Sequence, residues 1–306
     1  MTSAPNRAAV PGGEPGDAPT GATVADALHA ARAALARDPQ PAATARFLLG
    51  GILGLDAAGV LTRRHDPLDP ARRAAFDAAV RRVAQGEPLA YVLGEQPFLD
   101  FTLTVTPDVL IPRPETEELA LWAIAWAARR RSAAGRPLRA ADVGTGSGAL
   151  AIALARALPD ALVAGVDVSA KALAVAAANA ARLGCAGRAA FVAGDLLAPF
   201  TGSFDLVVAN LPYVGTDEVD DVDPAVLAHE PYTALFAGPD GLDLLRRLIA
   251  DLPAHLAPGG AAALEIGWRQ GERVVALAAA AFPRGAIALR KDAYGRPRLV
   301  TIEAAS

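Results

Sequence analysis

Cysteine and methionine each occur once in the 306 residues, lysine occurs only as Lys171 and Lys291, and aromatic residues make up 5%. A lone Cys185 can close no intrachain disulfide, and no Cys/His cluster has zinc spacing, so no metal ligands are expected and a reducing compartment is. The N-terminus has no basic segment leading into an apolar run. The alanine-rich stretches are broken by Arg, Asp, Pro and Gly before they reach membrane-spanning length. The expectation is a cytoplasmic chain with no membrane partner, a monomer by default. A net charge of -4 and a pI near 5.6 supply no basic footprint, so no stable nucleic-acid binding is expected and a protein or small-molecule substrate is favoured. The wealth of Ala and Arg reflects a GC-rich coding sequence and says nothing of function.

What is present suggests two domains. Residues Met1 to about Ala22 are Pro, Gly, Ala and Ser/Thr without apolar periodicity, which predicts a disordered tail. Val24, Leu28, Ala31 and Leu35 then recur at helical spacing, with Thr23 or Asp26 available to cap. Amphipathic stretches follow at Ala42–Leu53 and Ala71–Gln85, completing a small helical domain that ends near Gly86. Alternation in Phe98–Val105 favours a strand or hairpin. Pro112 and Pro114 hold Ile111 and Arg113 extended, and a helix opens from Glu115 through Trp126. Buried strands are predicted at Ala140–Val143 and Leu162–Val168, with helices at Ala149–Leu158 and Ala170–Leu183. Further strands are expected at Ala189–Ala193, Phe204–Ala209, Ala261–Ile266 and Leu299–Ile302. Such alternation predicts an open, mostly parallel α/β sheet with ligands at the carboxyl ends of its strands.

The strand Ala140–Val143 runs into Gly144-Thr145-Gly146-Ser147-Gly148 and a helix. Glycines let the backbone turn sharply and a ligand approach closely. Alone, such a loop serves a dinucleotide, a nucleotide phosphate or S-adenosylmethionine. Its spacing is neither Gly-x-Gly-x-x-Gly nor a phosphate loop ending in Gly-Lys-Ser/Thr, which puts S-adenosylmethionine ahead. Asp167, about twenty residues on, sits where a carboxylate accepts both ribose hydroxyls. The alternative is a helix cap, a role that Ser169 would fill. After the next strand, Asp195 is placed to take an adenine amine and Leu196 to lie against the ring; an ordinary turn aspartate is the competing reading.

Phe204–Ala209 delivers Asn210-Leu211-Pro212-Tyr213 at its carboxyl end. A planar amide or aromatic amino nitrogen is a poor nucleophile because its lone pair is delocalised. Acceptors aimed at its N–H bonds raise its electron density and stabilise the charge that grows as a methyl group arrives. Asn210 can supply a side-chain oxygen, and Leu211 a backbone carbonyl held extended by Pro212. Tyr213 offers a ring face. Orientation and in-line approach can carry much of the barrier reduction without a strong base.

With these residues in view, the chain resembles the release factor glutamine methyltransferases, the PrmC/HemK family, from about Thr23 to its end. The segments that carry the resemblance are Gly86-Glu87-Pro88-Leu89-Ala90-Tyr91-Val92-Leu93-Gly94, Leu110-Ile111-Pro112-Arg113-Pro114-Glu115-Thr116-Glu117 and Asp142 through Gly148. Others are Glu230-Pro231, Gly241-Leu242, Glu265-Ile266-Gly267 with Gln270-Gly271, and Lys291-Asp292 with Gly295-Arg296. The resemblance implies a helical substrate-docking domain over 23–96 and a β-hairpin linker over 97–114. A seven-stranded, Rossmann-like, S-adenosylmethionine-dependent methyltransferase domain then spans 115–306. It also implies methyl transfer to the side-chain amide of the glutamine in the Gly-Gly-Gln motif of class 1 peptide-chain release factors, leaving S-adenosylhomocysteine. Asp142, Gly144–Gly148, Asp167 and Asn210 would then bind the cofactor, and Asn210–Tyr213 would hold the glutamine. Arg113 and Glu115 would shape the site from the linker or tie linker to domain by a salt bridge. The family usually has Pro where this chain has Leu211, and often an aromatic residue at Leu196.

Leu at position 211 is similar to the ribosomal-RNA adenine dimethyltransferases, so an adenine-N6 methyltransferase acting on RNA or DNA is the alternative. It calls for a basic channel with stacking aromatics. Arg129-Arg130-Arg131 is the tempting counterexample, and at a helix end it suits a solvated, dipole-compensating terminus. A third reading is a cofactor-binding protein that has lost catalysis.

Overall fold

The computed structural model describes residues 22–130 and 136–306, so the tail expected before Ala22 and Arg131 of the arginine run lie outside the described residues. The chain divides into two units, meeting in sequence at Gly86 and Glu87.

In the first unit, α1 (Val24–Ala34), α2 (Pro41–Leu53), α3 (Ala57–Thr62) and α4 (Pro70–Ala84) pack around Ala27, Leu48, Leu49, Val60 and Phe76. Thr23 and Asp26 cap α1 jointly: the Thr23 hydroxyl accepts from the Asp26 N–H, and the Asp26 carboxylate accepts from the Thr23 N–H. Proline opens α2 and α4 at the position where its missing N–H costs nothing, and Gly54, at φ 65°, stops α2. The six-residue α3 is too short to show a period and has no counterpart in the sequence reading.

The second unit begins with α5 (Leu89–Leu93) and a hairpin of β1 (Glu95–Phe98) and β2 (Phe101–Thr104). The hairpin turns through Leu99 at φ 50°, and the Leu99 N–H donates to Glu117 Oε1 at 2.8 Å. Glu117 belongs to α6 (Pro114–Arg130), whose last turn lays the Arg130 guanidinium over the Trp126 ring at 5.1 Å. The sheet consists of β3 (Arg139–Val143), β4 (Leu162–Asp167), β5 (Ala189–Ala193), β6 (Phe204–Ala209), β7 (Leu256–Glu265), β8 (Ala286–Lys291) and β9 (Pro297–Glu303), in the order β5-β4-β3-β6-β7-β9-β8. β9 is antiparallel to both its neighbours; the other pairs are parallel.

Alternate residues of each central strand face opposite cores. Ala140, Leu206 and Val208 pack with α6, α7 (Ala149–Ala157) and α8 (Ala170–Arg182). Ala141, Val207 and Ala209 pack with α10 (Asp243–His255) and α11 (Gly271–Ala281), which follow the short α9 (Pro224–His229). Edge strand β8 was not evident in the sequence because its residues are exposed or half-buried and carry no buried stripe. Among the described residues no helix is long and apolar enough to cross a membrane, and no group of three His, Cys, Asp or Glu side chains could hold a metal ion.

From β3 the chain builds outward through β4 and β5, then returns to set β6 on the other side of β3. That reversal opens a crevice at the carboxyl ends of β3 and β6. Register makes it specific: Val143 pairs with both Val166 and Ala209, and Ala209 pairs with Leu264. Gly144, Asp167, Asn210 and Glu265 therefore leave the sheet along one edge.

Candidate active site

A cleft of about 1020 Å³, open mouth included, lies over that edge. Asp142, Gly144–Ser147, Asp167, Asp195, Leu196 and Asn210–Pro212 line it, roofed by Asp108–Leu110 and Pro112 of the linker and by Pro231, Thr233 and Ala234. Gly148 sits just behind, capping α7 at φ 84°.

Gly144 turns at φ 74°, and a Cβ there would come within 2.9 Å of Leu211 Cδ2. Leu211 is thus packed on the glycine loop, buried in the core beneath the cleft. Asp142 Oδ2 accepts from the Thr145 hydroxyl at 2.7 Å and the Ala151 N–H at 3.0 Å, whereas its buried Oδ1 has no protein partner. Burial pushes the Asp142 carboxyl up to about 6, the Thr145 and Ala151 hydrogen bonds opposing it. Asp167 Oδ2 accepts from the Gly146 N–H at 3.0 Å and Oδ1 from the Ser169 N–H at 2.9 Å, while Ser169 itself caps α8. Each carboxylate oxygen retains lone-pair capacity beyond these bonds.

Asp195 Oδ2 accepts from Arg247 of α10 at 2.6 Å, and both side chains are about half exposed. Leu196, beside it, is a buried non-glycine residue at φ 50°, strained backbone of the kind that gathers at ligand sites.

Asn210 donates from Nδ2 to the Thr116 hydroxyl at 3.0 Å, and Thr116 donates to Glu265 Oε2 at 2.8 Å. The Asn210 Oδ1 is buried with no protein partner. Tyr213 is half-buried, and desolvation, with the Glu265 carboxylate nearby, pushes its phenol up to about 12, so it stays neutral at physiological pH. Its carbonyl accepts from Gln270 Nε2 at 2.8 Å. Tyr213 is not part of the cleft wall; it lines an adjoining depression with Trp268 and Arg298.

Arg113 turns from the cleft to pair with the buried Glu230, which also accepts from the Ile111 N–H at 3.2 Å. This ties the linker to the segment that follows the Asn-Leu-Pro-Tyr turn. Glu115 stands close enough to raise both Tyr213 and Glu265. The sequence reading passed over Thr116, Glu230 and Glu265 as site residues. The available signal was an acid ending the run Ala261-Ala262-Ala263-Leu264, a position buried on both sides.

The first unit and the start of the second match the PrmC N-terminal domain over residues 26–94, and residues 140–227 match a methyltransferase domain. A methyltransferase from Pyrococcus furiosus shares the fold, with a TM-score of 0.50 at 16% identity over 76% of this chain and 100% of that one. Sheet order, glycine loop and carboxyl-edge cleft define an S-adenosylmethionine-dependent methyltransferase. The release factor glutamine methyltransferase of Gloeobacter violaceus is 42% identical over 260 residues, 85% of this chain and 89% of its own. That of Cereibacter sphaeroides is 40% identical over 280 residues, 90% of this chain and 97% of its own. The chain belongs to the release factor glutamine methyltransferase family.

Proposed function

We propose that the chain methylates the side-chain amide nitrogen of the glutamine in the Gly-Gly-Gln motif of class 1 peptide-chain release factors. The observation that carries this is the buried, unpartnered Asn210 Oδ1 beside the cleft, in a chain of this family. A buried acceptor without a partner costs free energy unless a ligand N–H satisfies it.

The cleft suits S-adenosylmethionine, which supplies an electrophilic methyl group on a sulfonium. The orphaned Asp142 oxygen suits the cofactor's ammonium group, and Asp167 the ribose hydroxyls. Gly144, Thr145, Gly146, Ser147 and Gly148 let the methionine portion approach the backbone. Leu196 supplies an apolar face for the adenine; Asp195 reaches its amine while holding Arg247. Asn210 Oδ1 and the Leu211 carbonyl accept the two N–H groups of the glutamine amide, and Pro212 keeps that carbonyl presented. The Tyr213 ring, in the adjoining depression, can flank the amide only from outside the cleft wall. As the amide nitrogen takes up the methyl group that a bound S-adenosylmethionine would supply, leaving S-adenosylhomocysteine, both acceptors would stabilise the charge on nitrogen until its proton leaves for solvent. Arg113 shapes the site at second hand, by fixing the linker to Glu230, and Glu115 acts through its charge beside Tyr213.

Leu211 favours a second reading, adenine methylation, and the test addresses both. Purified protein is incubated with labelled S-adenosylmethionine and either a class 1 release factor or ribosomal RNA. Label should enter the factor and vanish when its Gly-Gly-Gln glutamine is replaced; label in RNA alone would establish the adenine reading. Asn210→Ala should lower turnover by about 10²-fold or more while cofactor affinity stays within a few-fold. Unchanged turnover removes Asn210 from this role. The working form is taken to be a cytoplasmic monomer, which sedimentation should find at 31.2 kDa.

A further inference from the structure

A side-chain amide has two faces that differ only by a flip, and one of the two would ruin the site described above. With its NH2 group turned to the cleft, Asn210 would present donors to a substrate amide that itself offers N–H groups. Something must choose the orientation. Thr116 and Glu265, 3% and 1% exposed, adjoin the Asn210 amide, Thr116 sharing the inner cleft wall with it and Glu265 lying beyond Thr116. The Thr116 hydroxyl has one proton, and it goes to Glu265 Oε2 at 2.8 Å. An ionised carboxylate can only accept, so the hydroxyl can offer Asn210 nothing but a lone pair. The Asn210 NH2 must therefore face Thr116, as its 3.0 Å hydrogen bond does, and Oδ1 must face the other way.

We propose that Thr116 and Glu265 form a positioning pair that holds the Asn210 amide with its oxygen toward the methyl acceptor. This rests on the reading of Asn210 as the acceptor of the substrate N–H. The sheet register supplies the geometry: Ala209 pairs with Leu264, so Asn210 and Glu265 are the next residues out on adjacent strands, and Thr116 enters between them from the first turn of α6.

The lock depends on the charge of Glu265. A protonated Glu265 could donate to Thr116, whose own proton would then be free to reach Asn210 Oδ1, and both orientations would be allowed. The groups around Glu265 are Arg113 at the end of the linker, Glu115 and Thr116 at the start of α6, Arg298 on β9 and Tyr213 after β6. Burial raises its carboxyl to about 7, with Thr116 and the two arginines opposing and Glu115 adding to the rise. The amide-orienting state is thus gained as pH rises through about 7.

The test compares single-turnover methylation of a class 1 release factor by the full chain and by Thr116→Val, Thr116→Ser, Glu265→Gln and Asn210→Ala, with cofactor affinity measured by calorimetry. Thr116→Val should lose about tenfold or more in rate with cofactor affinity unchanged, a misorientation effect. Thr116→Ser, which restores the hydroxyl, should recover most of it. The parent's rate should rise between pH 6 and 8, and Glu265→Gln should flatten that rise at a lower plateau. Thr116→Val at parental rate, Thr116→Ser no better than Thr116→Val, or a Glu265→Gln profile that keeps the rise would each overturn the pair's role. If those results came with an inactive Asn210→Ala, the reading of Asn210 would stand; an active Asn210→Ala would remove both.

Discussion

Glu265 carries a cost that its neighbours only partly offset. It is buried, its Oε1 has no partner, and its carboxyl titrates near 7 instead of at the ordinary carboxylate value of 4.5. A raised acid pKa means that the folded state binds the proton more tightly than the unfolded state does. The stability tied to that proton is fully present below 4.5 and is lost as pH rises through about 7. Glu265→Gln cannot ionise, so it should melt with the parent near pH 4.5 and above it at pH 8, the gap opening between those values. Equal melting temperatures at pH 8 would show that burial does not strain this carboxylate. The stability gain and the rate loss expected of this one variant run in opposite directions, as is common where a site stores unfavourable groups for use.

Among elements, the turn after β6 is held from outside. Gly241 sits at φ 71°, and a Cβ there would stand 2.1 Å from the Tyr213 carbonyl oxygen. The same carbonyl accepts from Gln270 Nε2, just ahead of α11. Gly241→Ala therefore meets rigid backbone as well as an unfavourable φ. The left-handed conformation alone costs about 1–2 kcal/mol for a residue with a Cβ. Urea denaturation should show at least that loss, and methylation should fall because Tyr213 moves; a variant that keeps both would show that the loop around 241 adjusts freely. Much at this scale was legible in the sequence. Pro112 and Pro114 announced an extended linker before α6, and alternating or continuous apolar runs located β3, β4, β5 and β6. Elements without such a stripe, α3 and edge strand β8, were not legible, since burial is what writes a pattern into a sequence.

Taken whole, the methyltransferase unit is two apolar cores divided by a sheet, with its ligand groups gathered at one edge. Ligand binding at that edge should stabilise the unit by mass action. S-adenosylhomocysteine at a hundredfold excess over its dissociation constant contributes about 2.7 kcal/mol, or roughly 5–10 °C in the melting of a unit this size. No shift under those conditions would remove the cleft as the cofactor site.

The chain by itself determined the groups that local backbone chemistry selects. A glycine loop between strand and helix, an acid at the next strand end and Asn-Leu-Pro-Tyr after a buried strand each require only neighbouring residues to be recognised. Tertiary structure alone decided what those groups face. Thr116 and Glu265 lie 94 and 55 residues from Asn210 in sequence, and sheet register and the docking of α6 bring them together beside its amide. The direction in which an amide points is set by hydrogen-bond partners across that distance, and no local pattern encodes it.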